Sequence, residues 1–220
     1  MNYLQLVNSV LRRLRESEVT TVQGTGNNNS YARLVGDFVN EAKATVENAW
    51  QWLALKRTVS ITLVAGTSEY QLSPSFNGFQ PSFVYNDISK WEMIEVPQTW
   101  MIAQTTFGTT QNAAPTHYSF SGVDTATGNI KVTVFPTPNA AGSIKFYGTV
   151  RPADLSADSD VILVPERPVI LLATAMAQEE RGEDSGQQSI NAYRLAQSAL
   201  ADAISFDAAR QTENTTWYEQ

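Results

Sequence analysis

The sequence predicts an α+β fold: a four-helix bundle interrupted between its second and third helices by an antiparallel β-sandwich or small barrel. Three observations predict it. Apolar residues recur every three to four positions over roughly residues 1–56 and again over 166–210. From Arg57 to about Pro152 the apolar period falls to two, and turn-forming residues separate the runs. Two helices alone bury too little to be stable, whereas four close one core, so the flanking segments are expected to fold together around the inserted 57–152 domain.

The first helix is expected over about residues 2–16, where Leu4, Val7, Leu11 and Leu14 share a face with Val10 beside them and Arg12, Arg13 and Arg15 lie opposite. Gly24-Thr25-Gly26-Asn27-Asn28-Asn29 is rich in turn formers and reads as a flexible loop, after which Ser30 is placed to N-cap the next helix. From Tyr31 to about Leu55 the residues Leu34, Val35, Phe38, Val39, Ala42, Val46, Ala49, Trp50 and Leu53 keep helical spacing, with Asp37, Glu41, Lys43, Glu47 and Asn48 off the stripe. Trp50 and Trp52 fall on different sides of this helix, one to fill the bundle and the other to seat the β-domain.

At Arg57 the pattern changes: Val59, Ile61 and Leu63 alternate with Thr58, Ser60 and Thr62. Further β-rich runs follow at 69–72, 83–85, 91–96, 100–106, 117–120, 130–135 and 143–150, with turns at Asn77-Gly78, Thr127-Gly128-Asn129 and Thr137-Pro138-Asn139. A Pro- and Asp-rich linker, 153–165, returns the chain to helix. Val169, Leu172, Ala173 and Met176 form one face, and Gly182 marks the stop. The last helix, about 187–210, carries Ile190, Tyr193, Ala196, Leu200, Ala203, Ile204 and Asp207 at helical spacing, with alanines that permit close approach, and is expected antiparallel to its neighbour. Residues 211–220 form a polar tail ending in Trp217-Tyr218-Glu219-Gln220.

Composition narrows the function. With 42% apolar residues the chain can bury a core, and the absence of cysteine removes disulfides, thiol catalysis and cysteine-ligated metals. No signal peptide and no membrane span are expected, because no long continuous apolar run occurs. The net charge of −7 is distributed as +1 over residues 1–56, −3 over 57–165 and −5 over 166–220, so a surface built to grip nucleic acid throughout is not expected. An acidic C-terminal third could line a channel that DNA passes without sticking, but reads first as an ordinary solvated surface.

The opening Tyr3-Leu4-Gln5-Leu6-Val7-Asn8-Ser9-Val10-Leu11-Arg12-Arg13-Leu14-Arg15-Glu16, then Val35-Gly36-Asp37-Phe38-Val39-Asn40-Glu41-Ala42-Lys43 and Trp50-Gln51-Trp52, resembles the head-to-tail adaptors of short-tailed bacteriophages, of the tail-tubular-protein-A type. The order helix, helix, β-insertion, helix, helix extends the resemblance to nearly the whole chain. It implies a homo-oligomeric ring, usually a dodecamer, docked between the portal protein and the tail nozzle protein in the virion. DNA would pass its central channel without sequence-specific binding, and the protein would be made in the host cytoplasm. It also implies that the C-terminal extension reaches the portal and that β-region loops face the tail.

Candidate chemistry is sparse, and no catalytic residue, cofactor or metal site is expected. His117 is the sole histidine, and no Gly-x-Ser-x-Gly elbow nominates a nucleophile beside it. The close carboxylates Glu92/Glu95, Asp158/Asp160 and Glu179/Glu180 read as solvated charges, since two-carboxylate chemistry needs groups that flank a substrate. Asp154 to Asp160 lacks the glycine and distal glutamate of a calcium loop, and Gly24-Thr25-Gly26 lacks the Gly-Lys-Ser/Thr of a phosphate loop. The sequons at Asn28 and Asn214 carry weight only on a secretory route. Arg12, Arg13 and Arg15 read first as an ordinary solvent face; as the densest basic group they are also the intersubunit candidates, able to meet acidic residues of a neighbouring copy and, less readily, DNA phosphates. Trp217 and Tyr218 are the portal-interface candidates, aromatic anchors in a tail too polar to order itself. The alternative reading is an accessory protein that binds or hydrolyses carbohydrate, with Trp91, Trp100, Tyr118 and Phe120 stacking on sugar.

Overall fold

The computed structural model describes residues 1–24, 27–72, 79–108, 111–182 and 187–211, leaving aside the side chains of 27–29. Two compact units are formed, Met1–Leu55 with Pro152–Gln220, and Lys56–Arg151.

In the first unit, helix α1 spans Tyr3–Arg13. Asn2 starts it with a capping box: its Oδ1 accepts from the Gln5 amide at 2.9 Å, and the Gln5 Oε1 accepts from the Asn2 amide at 3.0 Å. The helix stops short of the expected residue 16. Arg15 turns left-handed (φ 59°), the Glu16 amide reaches back to Leu11 O and the Arg15 amide to Arg12 O, a Schellman closure. Helix α2 spans Asn27–Ala49, so Ser30 lies inside the helix rather than capping it. It ends six residues before the expected Leu55. Trp52 folds back into the core and its indole N–H donates to Val46 O at 2.8 Å, satisfying one of the last carbonyls, and a short 3₁₀ turn follows at Leu53–Leu55.

Helix α4 spans Glu166–Arg181 and closes at Gly182, whose φ of 65° is the left-handed cap expected there; α5 spans Gln187–Ala208. The expected four-helix bundle is not formed. Val169, Ile170, Leu171, Ala173, Thr174, Ala175 and Ala177 are all buried, so α4 is covered on nearly its whole circumference rather than along one stripe. Helices α1 and α2 pack on it, and their core joins Leu6, Val10, Val35, Val39 and Trp52 to Val169, Ala173 and Ala177. Helix α5 packs along α4 through a separate small cluster of Leu171, Ala196 and Ala199, with half-buried Leu200, Ala203 and Ile204 touching the edge of the main core. Four helices sharing one core would need an inward face of large residues on α5. Its buried residues are only Ser189, Ala196 and Ala199, and Ile190, from the same helical spacing, is exposed.

Among the described residues the second unit holds eight strands and a further helix. The strands are β1 Lys56–Leu63, β2 Glu69–Leu72, β3 Gln80–Asn86, β4 Trp91–Glu92, β5 Ile94–Glu95, β6 His117–Val123, β7 Ile130–Phe135 and β8 Gly142–Thr149. They form two four-stranded sheets, ordered β1-β8-β3-β4 and β2-β7-β6-β5. All pairs are antiparallel except β5 with β6, which is parallel. Alternation fixes which side faces in: Val59, Ile61 and Leu63 meet Val84, Ile144 and Phe146 in a core shared with Leu72, Tyr118, Val132 and Val134.

Two expectations fail within this unit. The run Trp91–Val96 is two short strands belonging to different sheets, with buried Met93 at the corner. The run 100–106 is not a strand but lies in helix α3, Gln98–Thr106. Pro97 precedes it and accepts from the Met101 amide at 3.1 Å. Only Met101 is buried, so the adjacent Trp100 and Ile102 mimic a β run without its alternation. The turn at Thr127-Gly128-Asn129 forms, with Gly128 at φ 71° and its amide on Asp124 O at 2.8 Å. Asn77-Gly78 lies outside the described residues.

Candidate functional site

A catalytic base must be aimed by a second group and face a reacting atom. His117, in β6, stacks at 5.0 Å on Trp100 of α3, and its Nδ1 lies 2.9 Å from Thr116 Oγ1. Trp100 in turn meets Phe135 edge-on at 5.8 Å. These contacts pin α3 against the sheet, which is a packing role. Among the described residues, no group of three or more His, Asp or Glu side chains is placed to hold a metal ion.

Four of the close carboxylates, Asp158, Asp160, Glu95 and Glu179, are engaged within the fold. Asp160 accepts from the amides of Ser156 and Ala157, both at 2.8 Å, and these bonds hold its carboxyl below the usual aspartate value. Asp158 accepts from the Val22 amide at 3.0 Å. Glu179 accepts from the Tyr193 hydroxyl at 2.8 Å; burial first, then this carboxylate, pushes the phenol up to about 12. Glu95 accepts from the Tyr118 hydroxyl, and burial followed by that carboxylate raises the Tyr118 phenol. Glu92 is exposed on β4, in the other sheet.

The three arginines lie at and just past the end of α1. Arg12 and Arg13 occupy the last turn of α1, where positive charge complements the helix dipole. Arg12 Nε contacts exposed Glu18 at 3.4 Å, and Arg15 stands past the helix end. The proposed sugar platform is dispersed. Tyr118 is buried, Phe120 packs edge-on against it in the core, Trp100 stacks on His117, and Trp91 projects alone from the other sheet at 69% exposure. Trp217 and Tyr218 lie outside the described residues.

Two features of the helical unit escaped the sequence reading. The first is a polar grip on the returning chain. Lys43 is buried, with Nζ 3.1 Å from Glu47 Oε1 in ion-pair contact, and donates to Pro152 O at 3.3 Å and Ala153 O at 3.1 Å. One turn earlier, Asn40 exchanges two hydrogen bonds with the Leu155 backbone, at 2.9 and 3.0 Å. Lys43 and Glu47 were expected off the buried stripe of α2. A lysine buried beside a glutamate four residues on was the available sign.

The second is a groove of about 600 Å³ between residues 162–168 and the C-terminal half of α5. Leu163, Ala199, Ala203 and Phe206 line it, with Arg167 and Asp202 at its rim. Asp207 closes one end, accepting from the Trp50 indole at 3.1 Å, the Leu53 amide at 3.2 Å and the Gln211 amide group at 2.7 Å. Trp50 is thereby tied to the end of α5. A groove with apolar walls and few convergent polar groups suits another protein surface better than a reacting small molecule. Leu163 and Phe206 were visible in the sequence as apolar residues belonging to no stripe.

No helix among the described residues is long and apolar enough to cross a membrane. The chain matches a family model described as SU10 adaptor protein over residues 1–218. No curated protein gives a significant match.

Proposed function

The chain belongs to the SU10 adaptor protein family, bacteriophage head–tail adaptors that associate with portal and tail components in the virion, and from that premise we propose that it is the repeating subunit of a connector ring. The ring joins the portal to the tail nozzle and leaves a central channel through which DNA passes. The observation that carries this reading is the extent of the family match, which includes both units and all but the last two residues. The engagement of His117, Asp160 and Glu179 with neighbouring residues of the fold is in keeping with a structural, non-enzymatic role. Twelve copies is the number that the adaptor resemblance implies.

The experiment is imaging of the protein mixed with its portal. Rings stacked on the portal are the expected result. A chain that ignores the portal and instead binds glycan as an isolated protomer would replace this reading with the carbohydrate one. Within the connector, Trp217 and Tyr218 are proposed to anchor the tail on the portal. Trp217→Ala with Tyr218→Ala should weaken portal binding by roughly 30-fold or more, the equivalent of about 2 kcal/mol for an aromatic anchor, with the melting temperature unchanged. Unaltered portal binding would refute that assignment.

A further inference from the structure

Asp207 stands in the last turn of α5, where the negative end of the helix dipole opposes a carboxylate. The donors it gathers offset that cost. The Gln211 amide group at 2.7 Å, the Trp50 indole at 3.1 Å and the Leu53 amide at 3.2 Å all donate to one oxygen, Oδ2. A carboxylate oxygen offers two lone-pair sites, so three donors on it compete, and whatever strengthens one bond weakens the others. Gln211 makes the shortest of the three, and the same nitrogen also donates to Gln51 O at 2.9 Å.

The competing donors come from two places that matter to a connector. Gln211 is the first residue of the C-terminal tail. Trp50 and Leu53 belong to the short segment between α2 and β1, by which the chain enters the β-unit. We propose that Asp207 is a relay: the root of the tail and the entry to the β-unit share one acceptor, so that engagement of the tail draws Gln211 off Oδ2 and tightens the hold on Trp50 and Leu53. The proposal rests on the portal anchoring of the tail given above. The direction of the effect follows from the lone pairs, because withdrawing the strongest competitor leaves two donors for two sites. The two arrangements differ by one side-chain hydrogen bond and by no repacking of the core: Trp50 is half-buried and Leu53 is 45% exposed. Arrangements so alike in energy are the kind that an event at the tail can rebalance.

The test reads the two remaining donors directly. In the free chain, Gln211→Ala should slow hydrogen exchange at the Leu53 amide by about threefold or more, as a strengthened hydrogen bond does. The same variant should move the Trp50 indole proton downfield, its signal being identified by its loss in Trp50→Phe. Asp207→Ala should do the reverse at both positions, speeding exchange at Leu53 and moving the indole proton upfield. On the portal, the parent chain should show the same slowing at Leu53, and Gln211→Ala should show no further slowing beyond its free value. Unchanged or faster exchange at Leu53 in free Gln211→Ala would mean that the three donors do not compete, and would overturn the relay. Slowing in that free variant, but none in the parent on a portal it still binds, would overturn the relay and leave the connector reading intact. A parent chain that does not bind the portal would remove the connector reading and the relay with it.

Discussion

Lys43→Met should cost the helical unit about 3–5 kcal/mol, the range for breaking a buried ion pair by removing one member. The substitution keeps most of the aliphatic stem, so the loss is chiefly polar. Lys43 is only 2% exposed. Its ammonium contacts the Glu47 carboxylate at 3.1 Å and satisfies the carbonyls of Pro152 and Ala153 at 3.3 and 3.1 Å. Methionine would remove the Lys43 cation from beside the buried Glu47 carboxylate and this donor from two carbonyls, each lost hydrogen bond alone being worth about 1 kcal/mol. At roughly 2–4 °C per kcal/mol for a protein of this size, melting should fall by roughly 6–20 °C. The assay is urea unfolding followed by circular dichroism at the helix band. The decisive comparison is Lys43→Met/Glu47→Leu, which also removes the negative charge that Lys43 compensates and should recover part of the loss. A single variant within about 1 kcal/mol of the parent, or a double variant less stable than the single, would refute the reasoning.

The two tryptophans should separate cleanly. Trp52→Phe loses the bond to Val46 O inside the core and should cost about 2–4 kcal/mol, whereas Trp50→Phe should cost about 1 kcal/mol or less, because Asp207 keeps the Leu53 amide and Gln211; equal losses in urea unfolding would contradict this. Asp160 has a folded value below its ordinary 3.8, so the stability it contributes is present above that value and is lost as pH falls through the lowered one. The melting gap between the parent and Asp160→Asn should therefore be wider at pH 7 than near pH 2, and a gap independent of pH would count against it. Replacing residues 57–150 with a short flexible linker should leave a largely helical protein by circular dichroism; a featureless spectrum would show that the helical unit needs the β-unit to fold.

What the sequence revealed depended on how many sides of an element are buried. The stripes of α1 and α2, the alternation of Val59, Ile61 and Leu63, and the bounds of β7 at Ile130 and Phe135 were legible because each has one wet and one dry face. Helix α4 was read by one stripe, although Leu171 and Ala175 belong to a second buried side, and an element covered all round carries no amphipathic signal. Helix α3 was missed because three adjacent apolar residues satisfy a short β pattern as well as a helical one. The corner at Met93 was invisible because a change of sheet alters no local period. At the candidate surfaces, Arg12, Arg13 and Arg15 could be picked out by charge but not placed. The α5 groove depends on residues 162–168 meeting a helix that ends forty residues later, which no local pattern encodes.

The central position of α4 has a consequence during synthesis. Helices α1 and α2 leave the ribosome well before the helix that completes their core, because residues 50–165 are made between Ala49 and Glu166. At about 5–20 residues per second this is an interval of roughly 6–23 s in which Leu6, Val10, Val35 and Val39 lack their partner. The β-unit, continuous in the chain from Lys56 to Arg151, has all its strands available before α4 appears. The nascent chain thus closes its second-made unit first and its first-made unit last, and a holdase that shelters α1 and α2 would act in that window.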